Sequence, residues 1–147
     1  MPDQLVLGDW ETLREDATRI RFTVFVDEQR VPAEEELDDL DAVCRHALVF
    51  ADGLAVATGR LAPDGRIGRM AVLASHRRQH YGAQIMHALL IEADAIGHAQ
   101  TYLHAQCHAL GFYEKFGFVA EGPIFDEAGI DHRTMIRLRG TVELPTR

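Results

Sequence analysis

The chain has 147 residues, 47% of them apolar, and 15 Lys and Arg against 23 Asp and Glu give it a formal net charge of −8. This is the length of one ordinary domain, expected to span 1–147, and the apolar content supplies a real core and excludes a disordered chain. The acidic balance excludes a nucleic-acid binder held by a broad basic face, and no uninterrupted apolar run is long enough to span a membrane.

In chain order, Met1 to Trp10 has neither a basic start nor an apolar signal core, so the expected location is the cytoplasm. Leu5 to Leu7 reads as a short strand, and Asp9 to about Glu28 as one or two helices with Ile20, Val24 and Phe25 on a common side. Pro32 to Asp41 is a loop dense in acids: Glu34, Glu35, Glu36, Asp38, Asp39 and Asp41. Such a run is ordinarily a solvated loop; as a functional feature it would concentrate a cationic amine. His46 to Ala51 and Leu54 to Leu61 are strands joined by the hairpin dipeptide Asp52-Gly53. A second turn, Pro63-Asp64-Gly65, leads into a strand from Arg66 to Leu73. Beyond a basic turn, Ile85, Met86, Leu89, Leu90, Ala93 and Ile96 mark an amphipathic helix that ends near Gly97. Thr101 to Gln106 is a further strand, and Ala109 to Lys115 a short helix stopped at Gly117. Phe118 to Glu121 and His132 to Leu138 form a closing antiparallel pair around the turn-rich Asp126 to Ile130. Cys44 and Cys107 lie far apart and fit reduced thiols. The order predicts a mixed α/β sheet, antiparallel at both ends and parallel only around the long helix.

The stretch from Arg77 through Arg78, Gln79, His80, Tyr81 and Gly82 to Ala83 carries the strongest chemical signal. A helix start has amide N–H groups without intrahelical partners and the positive end of the macrodipole, and here two arginines lie alongside. Those features together suit a phosphate group. His104 and His108 flank Cys107 at a spacing that would put both imidazoles on one face of a helix and invite a metal. The segment reads as a strand, and Ala105 stands where a zinc hydrolase would need its glutamate, so no metal is expected.

Three stretches then carry a resemblance. V-F-V-D-E-Q from Val24 to Gln29 precedes the acidic loop and Arg45-His46. The strand–turn–helix from Met70 to Ala83 is similar to an R-x-x-G-x-G acetyl-CoA turn. A-Q-C-H-A-L-G-F-Y-E-K-F-G-F from Ala105 to Phe118 is similar to an N-x-x-A-x-x-x-Y-x-K-x-G-F closing motif. In this order and over nearly the full length, the chain resembles the GNAT superfamily of N-acetyltransferases, and its pattern is close to the ElaA-like branch. It departs from that pattern at His80, which stands at the first glycine of the turn, and at Gln106, which stands at the asparagine.

The resemblance implies a mostly antiparallel twisted sheet flanked by helices, with a splayed central parallel strand pair that holds acetyl-CoA. It implies that Arg77, Arg78, Gln79, His80, Tyr81, Gly82 and Ala83 meet the pyrophosphate, with the His80 side chain pointing outward. Met70, Ala71 and Val72 would pair with the pantetheine arm alongside Gln106, and an N–H near Val72 would polarise the thioester carbonyl. Tyr113 would protonate the departing thiolate. The proton of the attacking ammonium could pass to Glu28, His104 or water, with Glu28 favoured because it follows the helix that borders the acceptor. The partner would be a small-molecule or peptide amine, with neither nucleic acid nor membrane involved, and homodimerisation stays open. A non-catalytic acyl-CoA-binding module and, behind it, a metal-dependent hydrolase are the competing readings.

Overall fold

The structure is a computed structural model, described for residues 2–140; both ends of the expected 1–147 span lie outside the described residues. Strand β1 (Gln4–Gly8) is followed by helix α1 (Trp10–Arg21), whose Asp9 cap accepts from the Thr12 amide at 2.9 Å. A cap of this kind stabilises a helix by about 1 kcal/mol. The chain then winds into a π-helical stretch, Phe22–Glu28. Leu13, Ala17, Ile20 and Val24, three or four residues apart, form the buried face of this continuous rod. After a short helix α2 (Ala33–Glu36) and a 3₁₀ turn (Asp39–Val43) come β2 (Arg45–Ala51), β3 (Leu54–Leu61) and β4 (Ile67–Val72). Helix α3 (Tyr81–Ile96), β5 (Gln100–Gln106), helix α4 (Leu110–Glu114), β6 (Val119–Glu127) and β7 (Ile130–Leu138) complete the order.

The strands form two antiparallel sheets, ordered β1-β2-β3-β4 and β5-β7-β6. Asp52 and Gly53 both take positive φ, +51° and +82°, as the expected two-residue hairpin demands. The closing hairpin is longer than the sequence indicated, because β6 runs on through a bulge to Glu127 and turns at Ala128-Gly129. Alternation along β2 sends Ala47, Val49 and Ala51 toward α3 and Leu48 toward α1, so the first sheet is covered on both faces. Ile85, Met86, Leu89 and Leu90 of α3 are fully buried, each worth about 1.5–3 kcal/mol of apolar burial. Ile96, expected on that same face, is instead exposed at the helix end. Gly59 permits the close seating of α3: a Cβ there would fall 2.7 Å from Ile85 Cγ2.

The two sheets meet where β4 and β5 run parallel, at the Arg66–Tyr102 pairing and the Tyr102 N–H to Gly65 carbonyl bond of 3.1 Å. Beyond that point, among the described residues, no ladder joins them. β4 also carries a bulge against β3, where pairing jumps from Thr58–Ala71 to Arg60–Gly68 and Arg69 takes φ +51°. The result is a wedge between the sheets, with the edge of β4 free along one wall.

Candidate active site

The wedge opens into a cleft of about 870 Å³. One wall is β4 from Ile67 to Val72, and the facing wall is Leu103, His104 and Gln106 of β5. The π-helical stretch borders it with Phe25, Glu28 and Gln29, α4 with Phe112 and Tyr113, and the β6–β7 turn with Glu127 and Ala128. A π-helix carries an extra residue per turn and so re-aims the side chains that follow, which turns Glu28 and Gln29 into the cleft.

Met70, Ala71, Val72, Arg77, Gly82, Gln106, Tyr113 and Glu28, all site candidates from the sequence, line this one cleft. Arg78, Gln79 and His80 are exposed and lie outside its lining. His80 caps α3 with φ +69° and no side-chain hydrogen bond, so the position keeps the left-handed backbone a glycine would favour. No side chain caps the amides of Tyr81, Gly82 and Ala83 among the described residues; the first backbone bond runs from Gln84 N–H to the His80 carbonyl at 3.1 Å. The Tyr81 ring is buried in the core and its hydroxyl donates to Asp3 at 3.0 Å, so only its backbone faces outward. Ala83 likewise packs against the core.

Arg77 and Glu28 are paired with each other. The guanidinium donates to both carboxylate oxygens at 2.5 and 2.7 Å, and its Nε donates to the Val72 carbonyl at 3.0 Å. This contact holds Glu28 below the usual carboxylate range. Gln106 donates to the Gln29 side-chain oxygen at 3.0 Å, tying β5 to the π-helical stretch across the cleft, and lies 2.7 Å from His108 Nε2. Tyr113 is half-buried, with Phe112 and Phe118 edge-on at 5.1 and 6.3 Å. Its hydroxyl has no hydrogen-bond partner among the described residues, and burial pushes its pKa up to about 12. His104 and His108 sit on a strand and a 3₁₀ turn, with different partners, Glu127 and Gln106.

The acidic run proves to be no simple solvated loop. Glu36 and Asp41 are buried, and Arg21 donates to both, reaching Asp41 at 2.8 and 3.0 Å. Arg60 donates to Asp41 at 2.7 Å and to Asp38 at 2.9 and 2.8 Å, and Arg69 reaches Asp38 at 3.1 Å and Glu36 at 3.0 Å. Three carboxylates and three guanidinium groups therefore cancel, and they lock the 32–43 segment onto β3 and the β4 bulge. Glu34, Glu35 and Asp39 remain exposed. No described helix is long and apolar enough to cross a membrane.

Comparison with known proteins matches this geometry. The profile of the acetyltransferase (GNAT) domain covers residues 13–138. The chain is 38% identical over 136 residues to the uncharacterized N-acetyltransferase YjcF of Bacillus subtilis, covering 90% of this chain and 97% of the relative. It is 32% identical over 130 residues to protein ElaA of Escherichia coli, covering 81% and 83% respectively. Among solved structures, an acyl-CoA N-acyltransferase from Pseudomonas aeruginosa superposes with a TM-score of 0.83 at 30% identity, over 92% of this chain and 99% of that one. The splayed strands, the capless helix start and these relatives agree: the chain belongs to the GNAT acetyltransferase family.

Proposed function

We propose that the protein transfers an acetyl group from acetyl-CoA to a primary amine, a small molecule or a peptide, by direct attack and in the cytoplasm. The observation that carries this reading is the wedge between β4 and β5, with a free strand edge on one wall, uncapped helix amides beside it and Tyr113 in its lining. Bound acetyl-CoA would supply an acetyl group activated as a thioester. The free edge from Met70 to Val72 suits added-strand pairing with the pantetheine amides, alongside Gln106, and an N–H near Val72 suits polarising the carbonyl. The amides of Tyr81, Gly82 and Ala83, with Arg77 and Arg78, suit the pyrophosphate. Gly82 fits this role because it presents no side chain where the helix start meets the cleft.

Tyr113 is the proton donor to the departing thiolate. Burial keeps its phenol protonated at neutral pH, and no protein group competes for it among the described residues. Glu28 is less suited to be the base than its position promised, because a carboxylate held below its usual range accepts a proton poorly. We assign it to orienting Arg77. The test is thermal shift with acetyl-CoA, followed by thiol release across a panel of primary amines. Ligand at 100 times its Kd stabilises by about 2.7 kcal/mol, and at least one amine should be acetylated. Binding without transfer to any amine would favour the acyl-CoA-binding module instead.

A further inference from the structure

One group of titratable side chains in the cleft has no part in holding or protonating the cofactor. His104 on β5 faces Glu127 on β6, with Nδ1 2.9 Å from Oε2. Arg66, just before β4, reaches both, its Nη2 lying 3.1 Å from His104 Nδ1 and 3.4 Å from Glu127 Oε1. The three line the cleft, Arg66 at the Arg66–Tyr102 pairing and His104 two residues beyond Tyr102, where β4 and β5 part. Phe125 packs edge-on against the imidazole at 5.1 Å, and Tyr102 lies at 6.5 Å with its hydroxyl donating to Asp64. His132, the other imidazole at this end, is buried, stacks on Phe125 at 6.0 Å and has its Nδ1 2.7 Å from the Ile130 carbonyl.

Nδ1 cannot both accept from Arg66 and donate to Glu127. The carboxylate is the nearer of the two, 2.9 Å against 3.1 Å for Arg66, which favours the proton on Nδ1 and the lone pair on Nε2. Nε2 has no hydrogen-bond partner among the described residues. Burial would raise Glu127, but the hydrogen bond from His104 and the charge of Arg66 work against it, and the carboxylate is held below its usual value. A primary ammonium with a pKa near 10 leaves only about one amine in a thousand unprotonated at pH 7, so attack requires a base. Glu28, the other candidate, is committed to Arg77.

We propose that His104 is the catalytic base that accepts the proton of the acceptor ammonium, with Glu127 as the positioning residue that fixes its tautomer. The N–H bond of the ammonium breaks, its electron pair stays on nitrogen, and the proton bonds to Nε2 and leaves later to water. This rests on the acetyltransferase reading.

The direct test is ¹⁵N-edited NMR of the histidine side chains of the full chain at pH 8.5, with His104→Gln identifying the resonance. The Nδ1–H tautomer is expected; an Nε2–H tautomer would overturn the proposal. A second measurement follows acetyl transfer from acetyl-CoA to ethylamine, a probe small enough to enter any primary-amine site, alongside CoA calorimetry. His104→Gln should bind CoA within about two-fold of the parent yet transfer roughly 10²-fold more slowly at pH 7. Its rate should climb about ten-fold per pH unit toward pH 9, following the free amine, while the parent rate stays nearly level. Glu127→Gln should fall between the two. Equal rates in parent and His104→Gln would overturn the proposal alone, and no transfer by the parent to ethylamine or to any amine of the panel would overturn the acetyltransferase reading together with it.

Discussion

Tyr113→Phe separates a chemical role from a packing role with one atom. The ring contacts that fix the residue, edge-on to Phe112 at 5.1 Å and to Phe118 at 6.3 Å, survive the change. The hydroxyl removed has no protein partner among the described residues, so no buried group is left unsatisfied. Stability should therefore move by no more than about 0.5 kcal/mol, a Tm shift of roughly 1–2 °C. Turnover should fall about 10²–10⁴-fold, the usual contribution of one positioned proton donor, while acetyl-CoA affinity stays level. Because burial pushes the phenol up to about 12, the parent should show no loss of rate from Tyr113 ionisation below about pH 10. Melting temperature and single-turnover rate, measured on one preparation, decide the matter. A destabilised fold with near-normal turnover would refute the assignment and return Tyr113 to the core.

Asp41→Asn leaves Arg21 and Arg60 facing an uncharged amide in a buried site and should cost about 3–5 kcal/mol by urea denaturation. The control Glu92→Gln, in the partly exposed pair with Arg45, should stay within about 1 kcal/mol, and equal effects would contradict the network's weight. The same carboxylates set an acid limit. Asp38 is held down to about 2, chiefly by the Arg60 hydrogen bond, and Asp41 is also lowered, since Arg21 and Arg60 outweigh its burial. Their folded pKa values lie below the unfolded ones, so this stability is complete above about pH 4 and drains away toward pH 2; a melting temperature that held level over that window would contradict it. His80→Gly relieves a left-handed residue with φ +69° at the cost of a freer unfolded chain, so Tm should rise by roughly 1–3 °C, and a fall would show that the imidazole makes a contact of its own.

Local chemistry was legible in the chain. Asp52-Gly53 announced its hairpin, the apolar spacing announced α3, and the strand–turn–helix at Met70 to Ala83 is present, with Met70 to Val72, Arg77 and Gly82 on the cleft and Arg78 to Tyr81 and Ala83 outside its lining. What escaped were partnerships between residues distant in sequence. Glu36, Asp38 and Asp41 look like a solvated run until Arg21, Arg60 and Arg69 arrive from three other elements. Glu127 lies 23 positions from His104, on a strand whose bulge hides its length, so no spacing rule links them. The π-helical winding after Arg21 has no periodic signature over seven residues, yet it aims Glu28 at Arg77 and alters what both can do. Arg69 reads as an ordinary strand residue, because a positive φ at a bulge is set by β3 and β4 together.

On the proposed function, the cleft between β4 and β5 receives acyl-CoA with its pyrophosphate on the α3 start. Calorimetric titration of CoA into the parent and into Gly82→Val tests it most directly. A Cβ at Gly82 would sit in ordinary contact with Phe112 at 3.5 Å and Val72 at 3.7 Å, both in the cleft lining, so valine methyls add bulk beside the point where backbone and pyrophosphate would approach. The parent should bind CoA, and a Gly82→Val protein that still melts cooperatively should bind it at least ten-fold more weakly. Unchanged CoA affinity in that folded variant would contradict it.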